Sequence, residues 1–564
     1  MRNRLKHRFL VRMVLSMAGA AAASAAHAQA AAGNPLDTLP AIPQFKEDAA
    51  PARITAPPSA LQQLLATSIT PTRFDIEGVR SVPFARVSAL FASLAGQATT
   101  VGRLIELTRE VTDLYQQSGY ALSFCYVPNQ DFKDGVVRIV AVEGHVSEVR
   151  IEGDAGNAEP KIRAMSERIR QDKPLRQQTF DRYVRLLGEL PGVQVQASAP
   201  LPVNTDGATV LSLKVSRKPY ATSLGMDSRQ SQPRLLVTGV LNDPFIAGGQ
   251  LGASTILSAI NGEKYYAFQY TQFIGSQGLN LKLEVSQYQG DPNALLGIAS
   301  ATARQVTSNR VELTANYPLI LTKTRSLVAT GGVYGVNYTD AYLNPGTAAA
   351  LAYETRSRTV FGQFSYAVSR PDQVRRASML LARGVNDWGA RADASTNVPG
   401  LVAANSTALN FTRLLVQASQ SDSWPARFGS TLSMTAQYSH DVLPAAERIS
   451  FGGMRFARGY AAGEISGDSG WGLGMEINRT YSVDLLSVKQ LQPYLLLESA
   501  RAYNTVGVPV PARLSSVALG SRLSDLQAYG LDVALAKPTG EMPLENPGRH
   551  LRLSASLTYR LGAE

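Results

Sequence analysis

The chain has 564 residues, 45% of them hydrophobic, with a mean hydropathy of -0.07 and a formal net charge of +11. That is too polar for a bundle of membrane helices, each needing about 20 consecutive apolar residues, but it suits a transmembrane barrel, in which only alternate residues of a strand meet lipid. The single cysteine, Cys125, excludes an intrachain disulfide framework, the five scattered histidines show no metal-ligand spacing, and the lack of a long basic run argues against nucleic acid as a partner.

Arg2, Arg4, Lys6, Arg8 and Arg12 precede the apolar stretch 13–26, and Ala26-His27-Ala28 forms a small-x-small cleavage site. Residues 1–28 therefore read as a signal peptide. Its five positive charges leave 11 − 5 = +6 on the mature chain. Residues 29–70 are rich in Pro and Ala and read as a linker. Within it, 59–67 has helical spacing, with Leu61, Leu64 and Leu65 on one face and Ser59 placed to cap it.

Two similar units follow. In the first (71–144), 73–79 alternates as a strand, 83–94 and 101–117 have helical spacing, Gly119 stands where a C-cap is expected, and 120–127 and 136–142 read as strands. The second (145–217) repeats the order, with strands at 146–153, 193–199 and 209–216 and helices at 160–170 and 178–187. A repeated βααββ order over about 70 residues marks a tandem of α+β modules.

From about residue 218 helical periodicity gives way to strict alternation. Leu279, Leu281, Leu283 and Val285 alternate with Asn280, Lys282 and Glu284, and the same pattern recurs at 310–317, 432–439 and 551–561. The runs reach the roughly 9–11 residues that a tilted membrane-crossing strand needs. Residues 218–564 therefore predict a membrane β-barrel of about 16 antiparallel strands, least distinct between Ser378 and Leu415.

The segment 437–460 ends in Gly452-Gly453-Met454-Arg455-Phe456-Ala457-Arg458-Gly459-Tyr460 and is followed by Gly467-Asp468-Ser469-Gly470. It resembles the loop that defines two-partner secretion transporters (the TpsB family, of the haemolysin and filamentous-haemagglutinin secretion type). Asn242-Asp243-Pro244-Phe245, Asn316-Tyr317-Pro318 and Gln492-Pro493-Tyr494 extend the match, and the two βααββ units resemble that family's POTRA domains. The resemblance implies an outer-membrane location with the N-terminal domains in the periplasm, and a plug helix for which 59–67 is the candidate. The implied partners are a secreted TpsA-type exoprotein (haemolysin, adhesin or toxin), outer-membrane lipid and, during biogenesis, the barrel-assembly machinery. A barrel-insertion factor of the same superfamily is the alternative, although such factors carry more POTRA units than the two read here.

The resemblance also implies the candidate sites. Gly452, Gly453, Arg458, Gly459 and Tyr460 form a loop folded into the lumen. There the guanidinium of Arg458 would pair with Glu498, which stands where the family has Asp, and Ala457 stands where it has Val. Alternation on that strand puts Tyr494, Leu496, Glu498 and Ala500 on one face, with Leu495, Leu497 and Ser499 on the other. In the second unit Leu186, Leu187, Val193 and Val195 are the tentative partner-binding residues, beside a sheet edge able to accept a client strand. No nucleophile elbow, phosphate-cradling loop or metal motif appears, so neither catalysis nor a cofactor or metal is expected.

Overall fold

A computed structural model describes residues 53–55, 68–227, 233–258, 263–292, 302–485, 487–507, 512–544 and 548–561. The predicted signal peptide and the predicted helix 59–67 lie outside the described residues.

The first unit lays helices Phe84–Ala92 and Val101–Gln117 on a three-stranded sheet. The longer helix starts where the Thr100 hydroxyl accepts the Arg103 N–H at 3.2 Å. Its apolar face, Leu104, Leu107, Val111 and Tyr115, packs with Val87 and Phe91 onto Val137, Ile139 and Ala141. Strand Val136–Val142 is central, parallel to Arg73–Glu77 and antiparallel to Phe124–Tyr126. The strand expected at 120–127 is thus shorter. The Tyr120 N–H bonds back to the Tyr115 carbonyl at 2.9 Å after Gly119 at φ +90°, so the helix end takes up these residues.

The second unit has strand His145–Gly153, helices Glu159–Gln171 and Gln177–Gly188, then strands Val193–Pro200 and Ala208–Arg217. Ala208–Arg217 is central, parallel to His145–Gly153 and antiparallel to Val193–Pro200. A short strand, Arg53–Thr55, lies parallel on Val193–Pro200, with Arg53 opposite Ser198 and Thr55 opposite Pro200.

Glu143, the penultimate residue of the first unit, is fixed within that unit. Its carboxylate accepts the backbone N–H groups of Arg80 and Ser81 at 2.8 and 2.6 Å, the Ser81 hydroxyl at 2.8 Å and the Tyr115 hydroxyl at 3.0 Å.

Among the described residues, 18 strand segments close the barrel. Gln373–Gly384 and Arg391–Thr396 both pair with Ala350–Ser369, and Ser469–Arg479 and Tyr481–Leu485 both pair with Val488–Tyr503. Each couple is one interrupted strand, so the barrel has 18 − 2 = 16 strands, in line with expectation. Closure comes from Tyr220–Asp227 pairing antiparallel with the last strand, Arg552–Leu561. Leu281, Leu283, Val285, Val311, Leu313, Leu495 and Leu497 are exposed on the outside, where lipid meets them, while Tyr494, Leu496, Glu498 and Ala500 are buried on the lumen side. The alternation therefore sorts apolar residues to lipid and the remainder to the interior.

The helices of the second unit grip the barrel's periplasmic turns. Lys161 Nζ donates to the carbonyls of Phe273 and Gly275 at 3.0 and 3.1 Å, Arg182 donates to the Gln277 carbonyl at 3.1 Å, and Arg185 donates to the Thr322 carbonyl.

Candidate functional site: the loop inside the barrel

The lumen site is built by the chain between strands Phe428–Tyr438 and Ser469–Arg479. Instead of crossing outside, it folds inward as a small hairpin, Ile449–Phe451 against Ile465–Gly467. Ile449, Phe451, Ala457, Tyr460 and Ile465 are buried against Ala500, Ala502 and Leu514 of the wall, an apolar contact that holds the hairpin base.

Above the base the backbone turns sharply. Gly452 sits at φ +113° and Gly453 at φ +59°, and a Cβ on Gly452 would collide with the Ala461 carbonyl. Phe456 and Ala457 also have positive φ, +60° and +70°. A β-branched residue is a steric outlier there, so alanine at 457 suits this backbone. The Phe456 ring rests over Gly472 and Gly474, where a Cβ would come within 2.7 and 3.5 Å of it. Gly459 presses the tip onto the wall: its Cβ would lie 2.6 Å from Pro538 N and 2.8 Å from Lys537 C. The Tyr460 hydroxyl donates to the Glu541 carbonyl at 2.7 Å.

Arg458 and Glu498 meet, but not as an ion pair between side chains. The Glu498 carboxylate accepts the backbone N–H of Arg458 at 2.7 Å and the Ser516 hydroxyl at 3.1 Å. The guanidinium runs along the wall instead, donating to the Tyr494 hydroxyl at 2.5 Å and meeting Asp532 at 3.3 Å. The expected Arg458–Glu498 fork is therefore corrected. Close backbone contact at Gly459 delivers the amide of residue 458, rather than its side chain, to Glu498.

The pocket that receives the guanidinium went unread in the sequence. Tyr494 donates to Asp532 at 2.6 Å, and its ring is near two arginines, with the guanidinium carbons of Arg458 and Arg522 at 5.4 and 4.3 Å from the centroid. Arg522 in turn forks onto Glu476, at 2.7 and 2.5 Å. Lumen-side alternation on strand Tyr529–Pro538 was the one available signal for Asp532. At the other end of the loop, Glu447 receives the Tyr334 hydroxyl at 2.8 Å and Arg413 at 3.0 Å, and Asp468 receives the backbone N–H groups of Leu443 and Thr505 at 2.9 and 2.8 Å. The loop is thus fastened by charged groups at its base and its tip.

In the second unit, Leu186, Leu187, Val193 and Val195 are core residues, which corrects their expected place in an open groove. The helices cover one sheet face, so alternate positions 193, 195, 197 and 199 point under them. Leu186 also reaches the barrel, where a Cβ on Gly278 would meet its side chain at 2.5 Å.

A closed barrel holding an anchored inward loop, with a βααββ module ahead of it, defines an outer-membrane barrel with a periplasmic POTRA domain. Comparison with known proteins agrees. The POTRA domain of ShlB type matches residues 69–144, and the haemolysin secretion/activation protein family ShlB/FhaC/HecB matches residues 250–523. The heme/hemopexin transporter protein HuxB of Haemophilus influenzae is 21% identical over 494 residues, covering 82% of this chain and 81% of that protein. The outer membrane transporter CdiB of Escherichia coli is 24% identical over 450 residues, covering 77% of this chain and 72% of that protein. Among solved structures, CdiB from Escherichia coli superposes with a TM-score of 0.67 at 18% identity over 91% of this chain and 94% of that one. CdiB from Acinetobacter baumannii gives 0.57 at 13% identity over 99% and 98%. The chain belongs to the two-partner secretion transporters of the outer membrane, with its N-terminal region in the periplasm.

Proposed function

We propose that this transporter takes one partner exoprotein, of the large haemolysin, adhesin or toxin type, unfolded from the periplasm and passes it through the barrel to the cell surface without consuming nucleotide. The observation that carries the reading is the position of strand Val193–Pro200. It forms the edge of the second unit's own three strands, and the unit is fastened by Lys161, Arg182 and Arg185 to the barrel rim. An extended client added along that edge through main-chain hydrogen bonds would be held beside the lumen entrance. The parallel pairing of Arg53–Thr55 supports the edge's capacity to take an added strand. In this reading the second unit acts as a POTRA domain like the first. The Arg458 loop occupies the lumen at rest and is displaced during passage, and folding of the client outside supplies the drive.

The test is export of the partner exoprotein, sought first among the neighbouring genes, at matched barrel levels, by the intact chain and by one lacking residues 73–216. The truncated chain is expected to keep a folded, heat-modifiable barrel and to lose export. Normal export by it would overturn the recognition role. A general fall in other outer-membrane barrels, with export of the client unaffected, would assign the chain to barrel insertion instead.

A further inference from the structure

On one arc of the barrel's outer surface the apolar belt ends abruptly in arginine. Along strand Ala350–Ser369, Phe364, Gly362 and Val360 are exposed while Phe361, Thr359, Ser357 and Thr355 between and beyond them are buried. Alternation carries the outward face on to Arg358 and Arg356. On the neighbouring strand Met379 and Leu381 are exposed. Arg383 follows them opposite Val360, and past the interruption Arg391 stands directly opposite Arg356. The Ala350 end is extracellular, because at the other end Ser369 bonds to Thr324 in a periplasmic turn.

Height, charge and preorganisation point to one class of ligand. From Val360 to Arg356 is four residues, about 13 Å of strand at ~3.3 Å per residue, or about 10 Å along the membrane normal at a tilt of ~40°. The arginines therefore span the lipid head-group layer, about 5–8 Å deep per leaflet. Among the described residues no carboxylate pairs with Arg356, Arg358 or Arg383. Arg391 reaches Asp393, and Glu354 at 3.7 Å, both one row farther from the belt. Like charges directly opposite across a ladder are destabilising, and since Asp393 and Glu354 answer Arg391, the charge left for an external anion in this row is that of Arg356. Arg358 is held in place, Nε donating to the Trp388 carbonyl at 3.1 Å and Nη1 to Asn337 Oδ1 at 3.1 Å. Trp388 itself is 65% exposed at the bend that interrupts the strand, as befits an aromatic at the membrane interface.

We propose that Arg356, Arg358, Arg383 and Arg391 form a docking site for the phosphate groups of the glycolipid that makes up the outer leaflet of the outer membrane. Guanidinium forks match phosphate oxygens in pairs, and the exposed apolar rows below, Val360, Phe364, Met379 and Leu381, would lie along the acyl chains.

The test is native mass spectrometry of the delipidated full-length chain titrated with bisphosphorylated lipid A, dephosphorylated lipid A and phosphatidylglycerol. Arg356→Gln with Arg391→Gln, and Arg358→Gln with Arg383→Gln, are each expected to weaken binding of bisphosphorylated lipid A about tenfold and to leave the dephosphorylated form unaffected. Heat-modifiable migration reports that each double variant is folded. If either is not, the single Arg356→Gln replaces it, with a smaller loss in the same direction. Equal binding by wild type and variants overturns the proposal. So does wild-type binding of phosphatidylglycerol as tight as that of lipid A, which would reduce the arc to a general anionic surface.

Discussion

Arg458→Ala removes the hydrogen bond to the Tyr494 hydroxyl at 2.5 Å, the ion pair to Asp532 at 3.3 Å and the stack on the Tyr494 ring, while the N–H of residue 458 keeps its 2.7 Å bond to Glu498. A hydrogen bond to a charged group contributes about 1.5–3 kcal/mol, and breaking a buried ion pair costs about 3–5 kcal/mol. Arg458 and Asp532 side chains keep 10% and 18% exposure, and Asp532 retains the Tyr494 hydroxyl at 2.6 Å. The lower part of those ranges applies, about 2–3 kcal/mol. At ~1.4 kcal/mol per tenfold, this is a roughly 30–150-fold rise in loop opening. Hydrogen exchange reads that opening directly, at the amides of Gly453, Arg458 and Tyr460, which are tied to the Tyr460 carbonyl, Glu498 and the Ala457 carbonyl. Asp532→Ala is expected to approach the same loss, and the Arg458/Asp532 double variant to be little worse than either, because both substitutions delete one contact. Glu498→Ala removes a different anchor, so its effect should add more nearly to that of Arg458→Ala. A coupling energy larger for Glu498 than for Asp532 would refute this arrangement and restore the side-chain pair that the sequence suggests.

Gly459→Ala would place a methyl against backbone atoms that cannot swing aside, 2.6 Å from Pro538 N. Export is expected to fall while the barrel stays heat-modifiable, and undiminished export would show that the tip does not need this contact. Burial pushes the Cys125 thiol up to about 12. Since the thiolate is the reactive form, maleimide labelling at pH 8 is expected to be roughly a thousandfold slower than for a free thiol until the first unit unfolds, and prompt labelling of the native chain, followed by mass, would contradict that packing. Lys161→Ala with Arg185→Ala removes cations that cap the Phe273, Gly275 and Thr322 carbonyls. Faster hydrogen exchange across turns 273–278 and 322–325, with reduced export, is expected at about 1.5–3 kcal/mol per lost charged bond, and unaltered exchange would mean that these bonds do not hold the unit to the rim.

Periodicity was enough to read a barrel of about sixteen strands and, at 279–285, 310–317, 432–439 and 551–561, the face that each presents, because a side-chain repeat of two is local and lipid on one side leaves no choice of which face is apolar. Leu281, Leu283 and Val285 illustrate it: three residues in a row of alternation give strand, face and environment together. The repeated βααββ order was equally legible, since the helical spacing at Leu104, Leu107 and Val111 is a property of a few consecutive turns. The stretch between Ser378 and Leu415 was hard to read for a physical reason too: one strand is broken at 385–390, where Trp388 takes φ +55°, which destroys the period there.

Packing between distant segments lay beyond any such reading. Val193 and Val195 look alike whether they line a groove or a core; the helices that cover them are placed by sheet order, which pairs residues far apart in sequence. Arg458 and Glu498 lie 40 residues apart, and their types alone suggest an ion pair. The path of the loop decides otherwise. Its backbone comes so close to Pro538 at Gly459 that the amide reaches Glu498 first, leaving the guanidinium to find Tyr494 and Asp532. Residue type sets which bonds a side chain can make, and only the assembled wall sets which partner is within reach.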